Sequence, residues 1–130
     1  VRQAIIPGSA DQKCPFAEKM TGGKALRPKR MVTHNWSNLF RDLVAAIVAD
    51  ALQQSTFSLI AELLDTDLSR LEQMLSSQAL AMTYWVCAFS VNQHFSICGK
   101  NPGASSDPVT GLQHAVCHCG SANVLNDTPP

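Results

Sequence analysis

The sequence predicts an α/β domain with a partial βαβ-type unit, in which two or three helices connect the strands of a short parallel sheet. The chain has 130 residues, of which 45% are apolar, so it is long enough to bury one core. Residues 40–51 have the apolar spacing of an amphipathic helix. Residues 83–91 carry no charge and are rich in aromatic and β-branched side chains, as buried strands are.

The chain divides into three parts by composition. Residues 1–29 are predicted to form an irregular arm, because proline and glycine interrupt any periodicity, and Ile5, Ile6 and Phe16 are its expected anchoring points. Residues 30–97 contain the periodic segments and form the predicted core. Residues 98–130 are rich in cysteine, glycine and proline, which predicts a turn-rich C-terminal segment.

The first strand and the first helix follow one another closely. Residues 30–33 suit a short strand that ends in a polar turn. Ser37 or Asn38 is expected to cap the next helix, because a short side-chain oxygen accepts hydrogen bonds from its free N–H groups. The apolar stripe of that helix consists of Phe40, Leu43, Val44, Ile47, Val48 and Ala51.

The remaining core elements lead to a second strand. Residues 55–64 favour a helix, and Asp65 or Thr66 is the expected cap of the one that follows. Residues 83–91 are predicted to form a central strand, with a polar Asn-Gln-His cluster at its carboxyl end. Such a unit leaves both sheet edges open, so we expect residues beyond this chain, or another chain, to complete the sheet.

Composition also restricts the partners and the compartment. Ten basic and ten acidic residues give no net charge, which argues against a nucleic-acid binder. Charged residues are only 15% of the sequence, which indicates a surface partly covered by other protein chains, in a homo- or hetero-oligomer. The longest apolar stretch, residues 39–52, is charged in places and shorter than the ~20 residues of a membrane span, although association with a membrane complex stays open. Five cysteines do not suit a secreted disulfide framework, so we expect an intracellular protein of the cytoplasm or an organelle.

Four residues have the chemistry of a metal site. His94 and Cys98 are followed, after 18 intervening residues, by Cys117 and Cys119. One imidazole and three thiolates are a common ligand set for structural zinc, and the nearby glycines and prolines allow tight turns. The alternatives are His114 or His118 as the fourth ligand, a disulfide from Cys98 to Cys117 or Cys119, and free cysteines in a loose tail.

A second candidate site lies at the predicted strand ends. His34 and Asn35 follow the first strand, and Asn92 and Gln93 follow the second. Ligands of open α/β sheets bind at the carboxyl ends of parallel strands, where these side chains could contact a nucleotide. The alternative is that they hydrogen-bond the loop backbone. Either way, His94 cannot easily serve both candidate sites.

Two segments resemble a known superfamily. The sequence MVTHNWSNLFRDLV, residues 31–44, resembles the opening strand, turn and helix of TIR-like domains. The sequence TYWVCAFSVNQH, residues 83–94, resembles a later core strand of that superfamily and of heterokaryon-incompatibility-like domains. Residues 31–130 are most similar to an uncharacterised TIR-like family from protists, in which an NQH segment precedes a cysteine- and glycine-rich insertion.

The resemblance implies two alternative functions. TIR-like domains are self-associating scaffolds or enzymes that cleave NAD with a glutamate in a Trp-Cys-x-x-Glu-type segment. Here Trp85 and Cys87 lie in a predicted strand, and no glutamate follows Glu72. We therefore predict a non-enzymatic interaction module or accessory subunit without catalytic residues. The alternative is a nucleotide-binding or NAD-cleaving domain whose catalytic glutamate lies beyond residue 130.

Overall fold

A computed structural model describes residues 1–99 and 105–122 of the chain. These residues form helices and a short two-stranded parallel sheet, which confirms the predicted α/β class. The chain divides into two compact units, residues 27–85 and residues 1–26 with 86–130. The sequence-based division into arm, core and tail differs from these units, because residues 1–26 group with the C-terminal part of the chain.

The elements are short. The strands are β1 (Arg30–Val32) and β2 (Tyr84–Val86). The helices are α1 (Ile5–Gly8), α2 (Phe16–Met20), α3 (Phe40–Ala51), α4 (Ser58–Thr66), α5 (Leu68–Met74), α6 (Ser77–Leu80), α7 (Cys87–Ser90) and α8 (Gln93–Ser96). Within the described ranges, none of these helices combines the length and the apolar character that crossing a membrane requires.

The core of the unit of residues 27–85 lies between α3, α4 and α5. Its buried members are Ala45, Ala49, Ile60, Ala61, Leu63 and Leu71. The predicted stripe of α3 is partly wrong, because Ala45 and Ala49 face the core while Phe40 is exposed. Alanine has so little side chain that α3 and α4 can approach closely, and this packing decides which face is buried.

Two predicted helix caps are displaced in the structure. Leu39 precedes α3 without a side-chain cap, and Ser37 instead donates from its backbone N–H and its hydroxyl to Asn35 Oδ1. Asn35 thereby forms a local turn that competes with capping. Asp67, rather than Asp65 or Thr66, caps α5 by accepting a hydrogen bond from the Arg70 N–H at 3.0 Å.

Asp50 links α3 to both strands. Its carboxylate accepts hydrogen bonds from Arg30 on β1 and from the Tyr84 hydroxyl on β2, the latter at 2.7 Å. Partial burial, followed by the hydrogen bond to Asp50, raises the pKa of Tyr84 to about 12. The folded state therefore favours the neutral phenol of Tyr84.

The predicted central strand of residues 83–91 is wrong beyond Val86. The strand ends there, and residues 87–90 form α7. The amide of Gln93 donates to the carbonyls of Cys87 and Ala88, which satisfies two acceptors of this short helix. An uncharged apolar run is compatible with a buried helix as well as with a strand. The residues that follow the run therefore determine which of the two forms.

Two short helices lie within the N-terminal arm, which was predicted to be irregular. Ile5 and Ile6 of α1 are buried, as expected for anchoring points. The ring of Phe16 on α2 lies 6.0 Å from that of Phe89 on α7. The Asn92 side chain donates to the backbone carbonyl of Lys13 at 2.8 Å. These contacts make the arm part of the unit that contains the cysteines.

Truncation of the core residue Ile60 should destabilise the unit of residues 27–85. Ile60 is 0% exposed, so Ile60→Ala should lower the free energy of unfolding by about 2–5 kcal/mol, measured by urea denaturation. Leu59→Ala on the same helix is the control, because Leu59 is 48% exposed and its loss should cost less than about 1 kcal/mol. Equal effects of the two substitutions would contradict the observed packing.

Tyr84 should ionise at unusually high pH. It is the single tyrosine of the sequence, so the ultraviolet absorbance of phenolate reports its pKa directly. We expect a titration midpoint of about 12 for Tyr84 rather than the ordinary 10.0. Asp50→Asn should lower this midpoint, because it removes the carboxylate that accepts the phenol's hydrogen bond. Asp42→Asn is the control and should leave the midpoint unchanged. The raised pKa stabilises the fold below about pH 10, and this contribution disappears as the pH approaches about 12. An ordinary midpoint in the folded wild type would contradict this environment.

Candidate metal centre

The four predicted metal ligands lie together in the structure. One ligand atom from each of His94, Cys98, Cys117 and Cys119 lies within 4.8 Å of the others. Sγ of Cys98 is 3.3 Å from Sγ of Cys119, and Sγ of Cys117 is 3.8 Å from Nδ1 of His94. In a zinc tetrahedron these edges measure about 3.8 Å between sulfurs and about 3.5 Å between sulfur and nitrogen, by bond lengths. The cluster therefore has the size of a single metal site.

Local structure positions the first pair of ligands. His94 lies in α8 and Cys98 follows the end of that helix, and residues four apart along a helix point to the same side. The Cys98 N–H donates to the carbonyl of Gln93, five residues earlier, at 2.9 Å, so a backbone hydrogen bond positions Cys98 at the end of α8. Gly99 then adopts a φ of 75°, a conformation that glycine takes without strain, and redirects the chain.

The second pair comes from a segment without regular secondary structure near the end of the described residues. Cys117 and Cys119 have one residue between them, and a ligand atom of each lies in the cluster. Gly120 follows with a φ of 72° and turns the chain away. The cluster contains His94 rather than His114 or His118, which were the predicted alternatives.

The cluster is partly shielded from solvent and its thiols are free. His94 and Cys98 are buried, whereas Cys117 and Cys119 are half-buried. The 3.3 Å between the sulfurs of Cys98 and Cys119 is far longer than the ~2.05 Å of a disulfide bond. The structure therefore contains a set of thiols rather than the disulfide considered as an alternative.

The environment separates the pKa values of two thiols. Burial raises the pKa of Cys98 to about 12, with the hydrogen bonds that its thiol donates to Cys117 and Cys119 as the next causes. The side-chain hydrogen bond of Ser121, followed by that of its backbone, lowers the pKa of Cys119 to about 5. Of these two thiols, Cys119 is therefore the one that ionises more easily. A bound cation would favour the ionised form of the other thiols as well.

One further residue contacts the cluster and was missed from the sequence. Ser9 Oγ lies 3.1 Å from Nε2 of His94 and donates to the carbonyl of Ile5 at 2.9 Å. Ser9 is 85 positions from His94 along the chain, and a serine beside glycine and proline indicates only a turn. One indication that Ser9 is buried is present in the sequence, namely the apolar residues Ile5 and Ile6 four and three positions earlier.

The residues of the second candidate site have local roles. Asn35 holds the turn before α3, and the ring of His34 lies 5.1 Å from that of Trp36. Asn92 accepts from the N–H of His94 as the cap of α8, and the Gln93 amide contacts the α7 carbonyls. Asn92 and Gln93 therefore adjoin a helix start rather than a strand end, which corrects the premise of this site. Their role in ligand binding stays a prediction.

Comparisons with family models, curated proteins and solved structures found no match to this chain. The resemblance to TIR-like domains stays a prediction. The function is therefore argued from the geometry of the site.

Proposed function

We propose that this chain is a non-enzymatic protein-interaction module, acting as an accessory subunit, in which a structural zinc ion stabilises the unit of residues 1–26 and 86–130. The observation that supports it best is the cluster of His94, Cys98, Cys117 and Cys119, whose ligand atoms all lie within 4.8 Å of one another. A cation bound there would join two segments that are distant in sequence.

The donor set favours zinc over the other common metals. Three sulfurs and one imidazole nitrogen are soft to borderline ligands, which suit zinc and do not suit magnesium or calcium. Four ligands of this kind match the tetrahedral coordination of structural zinc. The turn-rich segments 97–99 and 105–122 contain little regular structure, and a bound metal would stabilise their conformation.

The number of protein ligands favours a structural role over a catalytic one. Catalytic zinc has three protein ligands and leaves the fourth position for water or substrate. Here the protein offers four donors, which would fill the tetrahedron. Zinc bound by all four would have no open position, so this site supports stability rather than hydrolysis.

The surface supports an interaction role. Large apolar side chains are exposed in both units, where they are accessible to other protein chains. Examples are Met31, Trp36, Leu68 and Leu80 in one unit, and Met20, Val109 and Leu112 in the other. Charged residues are only 15% of the sequence, so few charges oppose association through these side chains.

The purified protein should contain about one zinc ion per chain. Elemental analysis of Cys117→Ser and Cys119→Ser should show zinc reduced to a trace, because each substitution removes one of four ligands. Removal of zinc from the wild type with a chelator should lower its melting temperature, as measured by circular dichroism.

Cys14→Ser is the matched control for these substitutions. Cys14 is half-buried and its sulfur lies 3.6 Å from Gln12 Oε1, outside the cluster, so its variant should keep the full zinc content. A folded wild-type protein that binds no zinc, or a Cys119→Ser variant with unchanged zinc, would contradict the proposed site.

The zinc-loaded chain should associate with itself or with a partner subunit. In sedimentation experiments we expect species larger than one chain, and Leu80→Ser should shift them toward the monomer because Leu80 is 69% exposed. Gln78→Ser, on the same helix, exchanges an exposed polar residue and should have no effect. A stable, monodisperse monomer at every concentration would contradict the interaction role.

A further inference from the structure

We infer that Ser9 is a positioning residue of the metal centre: it determines that His94 binds the metal through Nδ1, and it thereby makes helix α1 part of the site. This inference rests on the proposed zinc site. It adds a residue that touches no metal and belongs to a segment far from the ligands in sequence.

The hydrogen bonds of Ser9 define its role. A serine hydroxyl has one hydrogen to donate, and Ser9 donates it to the carbonyl of Ile5 at 2.9 Å, one turn earlier. Towards Nε2 of His94, 3.1 Å away, the same oxygen can then only accept. Nε2 of His94 must therefore carry the hydrogen of this bond.

The tautomer of His94 follows from this bond. A neutral imidazole with its hydrogen on Nε2 has a free lone pair on Nδ1. Nδ1 is also the ring atom that faces the cluster, 3.8 Å from Sγ of Cys117. The nitrogen that Ser9 leaves unprotonated is thus the one beside the thiols. Metal-bound histidines commonly have such a partner on their second nitrogen.

Burial makes Ser9 hard to replace by solvent. His94 is 0% exposed and Ser9 is 1% exposed, so bulk water does not reach their contact. Without the hydroxyl, the hydrogen on Nε2 has no acceptor at this position, and the ring loses its preference for one tautomer and one orientation. Ser9 lies directly after α1, whose Ile5 and Ile6 are buried, so the position of its oxygen depends on that helix.

Substitution of Ser9 should weaken metal binding without removing a ligand. Ser9→Ala should lower zinc affinity by about 10–100-fold, measured by competition with a chromophoric chelator. Ser9→Thr retains the hydroxyl and should restore most of that affinity. Ser96→Ala is the control, because its hydroxyl bonds to Asn92 and Gln93 in the same unit and its loss should leave the affinity unchanged.

Nitrogen-15 NMR of the histidine rings tests the inference on the wild type, whichever variants fold. In the zinc-loaded protein we expect Nδ1 of His94 to be coordinated and Nε2 to be protonated. Coordination through Nε2, or a Ser9→Ala protein with wild-type affinity, would overturn the role of Ser9. If the wild type binds no zinc, the proposed function fails, and the metal-free protein still tests Ser9 because Nε2 should be the protonated nitrogen there as well.

Discussion

The burial of His94 places a strict demand on its surroundings. A wholly buried imidazole needs a partner for each ring nitrogen, because an unsatisfied polar group in the interior costs about 1–3 kcal/mol. Ser9 contacts one nitrogen and Cys117 lies beside the other. The first partner comes from the N-terminal segment and the second from the C-terminal segment. The side chain of His94 therefore connects α8 to both the N-terminal and the C-terminal segment of this unit.

Other polar side chains complete the same arrangement. Asn92 caps α8 with its oxygen and holds the carbonyl of Lys13 with its nitrogen. Gln93 contacts the carbonyls of α7. Short helices gain little stability from their own hydrogen bonds, so these side-chain contacts and the buried apolar residues carry much of the order of the unit. The polar cluster first interpreted as a strand end is thus a structural connection between α7, α8 and the N-terminal segment.

The sequence was sufficient for some features and insufficient for others, for physical reasons. The grouping of His94, Cys98, Cys117 and Cys119 could be predicted because one imidazole and three thiols form a donor set typical of metal sites. The length of β2 could not be predicted, because the uncharged run after Val86 is equally compatible with a helix. Side-chain contacts from residues beyond the run favour the helix there. Ser9 could not be predicted because its role depends on a contact across 85 positions.

The division of the chain into its two units has a consequence for biosynthesis. Residues 27–85 are continuous, so all the partners for contacts within this unit are present once residue 85 has left the ribosome. Residues 1–26 emerge earlier but pack with residues from 86 onward, so the apolar Ile5 and Ile6 have to wait for the last part of the chain. During this interval Ile5 and Ile6 lack the packing that buries them in the folded chain, so the nascent N-terminal segment exposes apolar surface to other proteins.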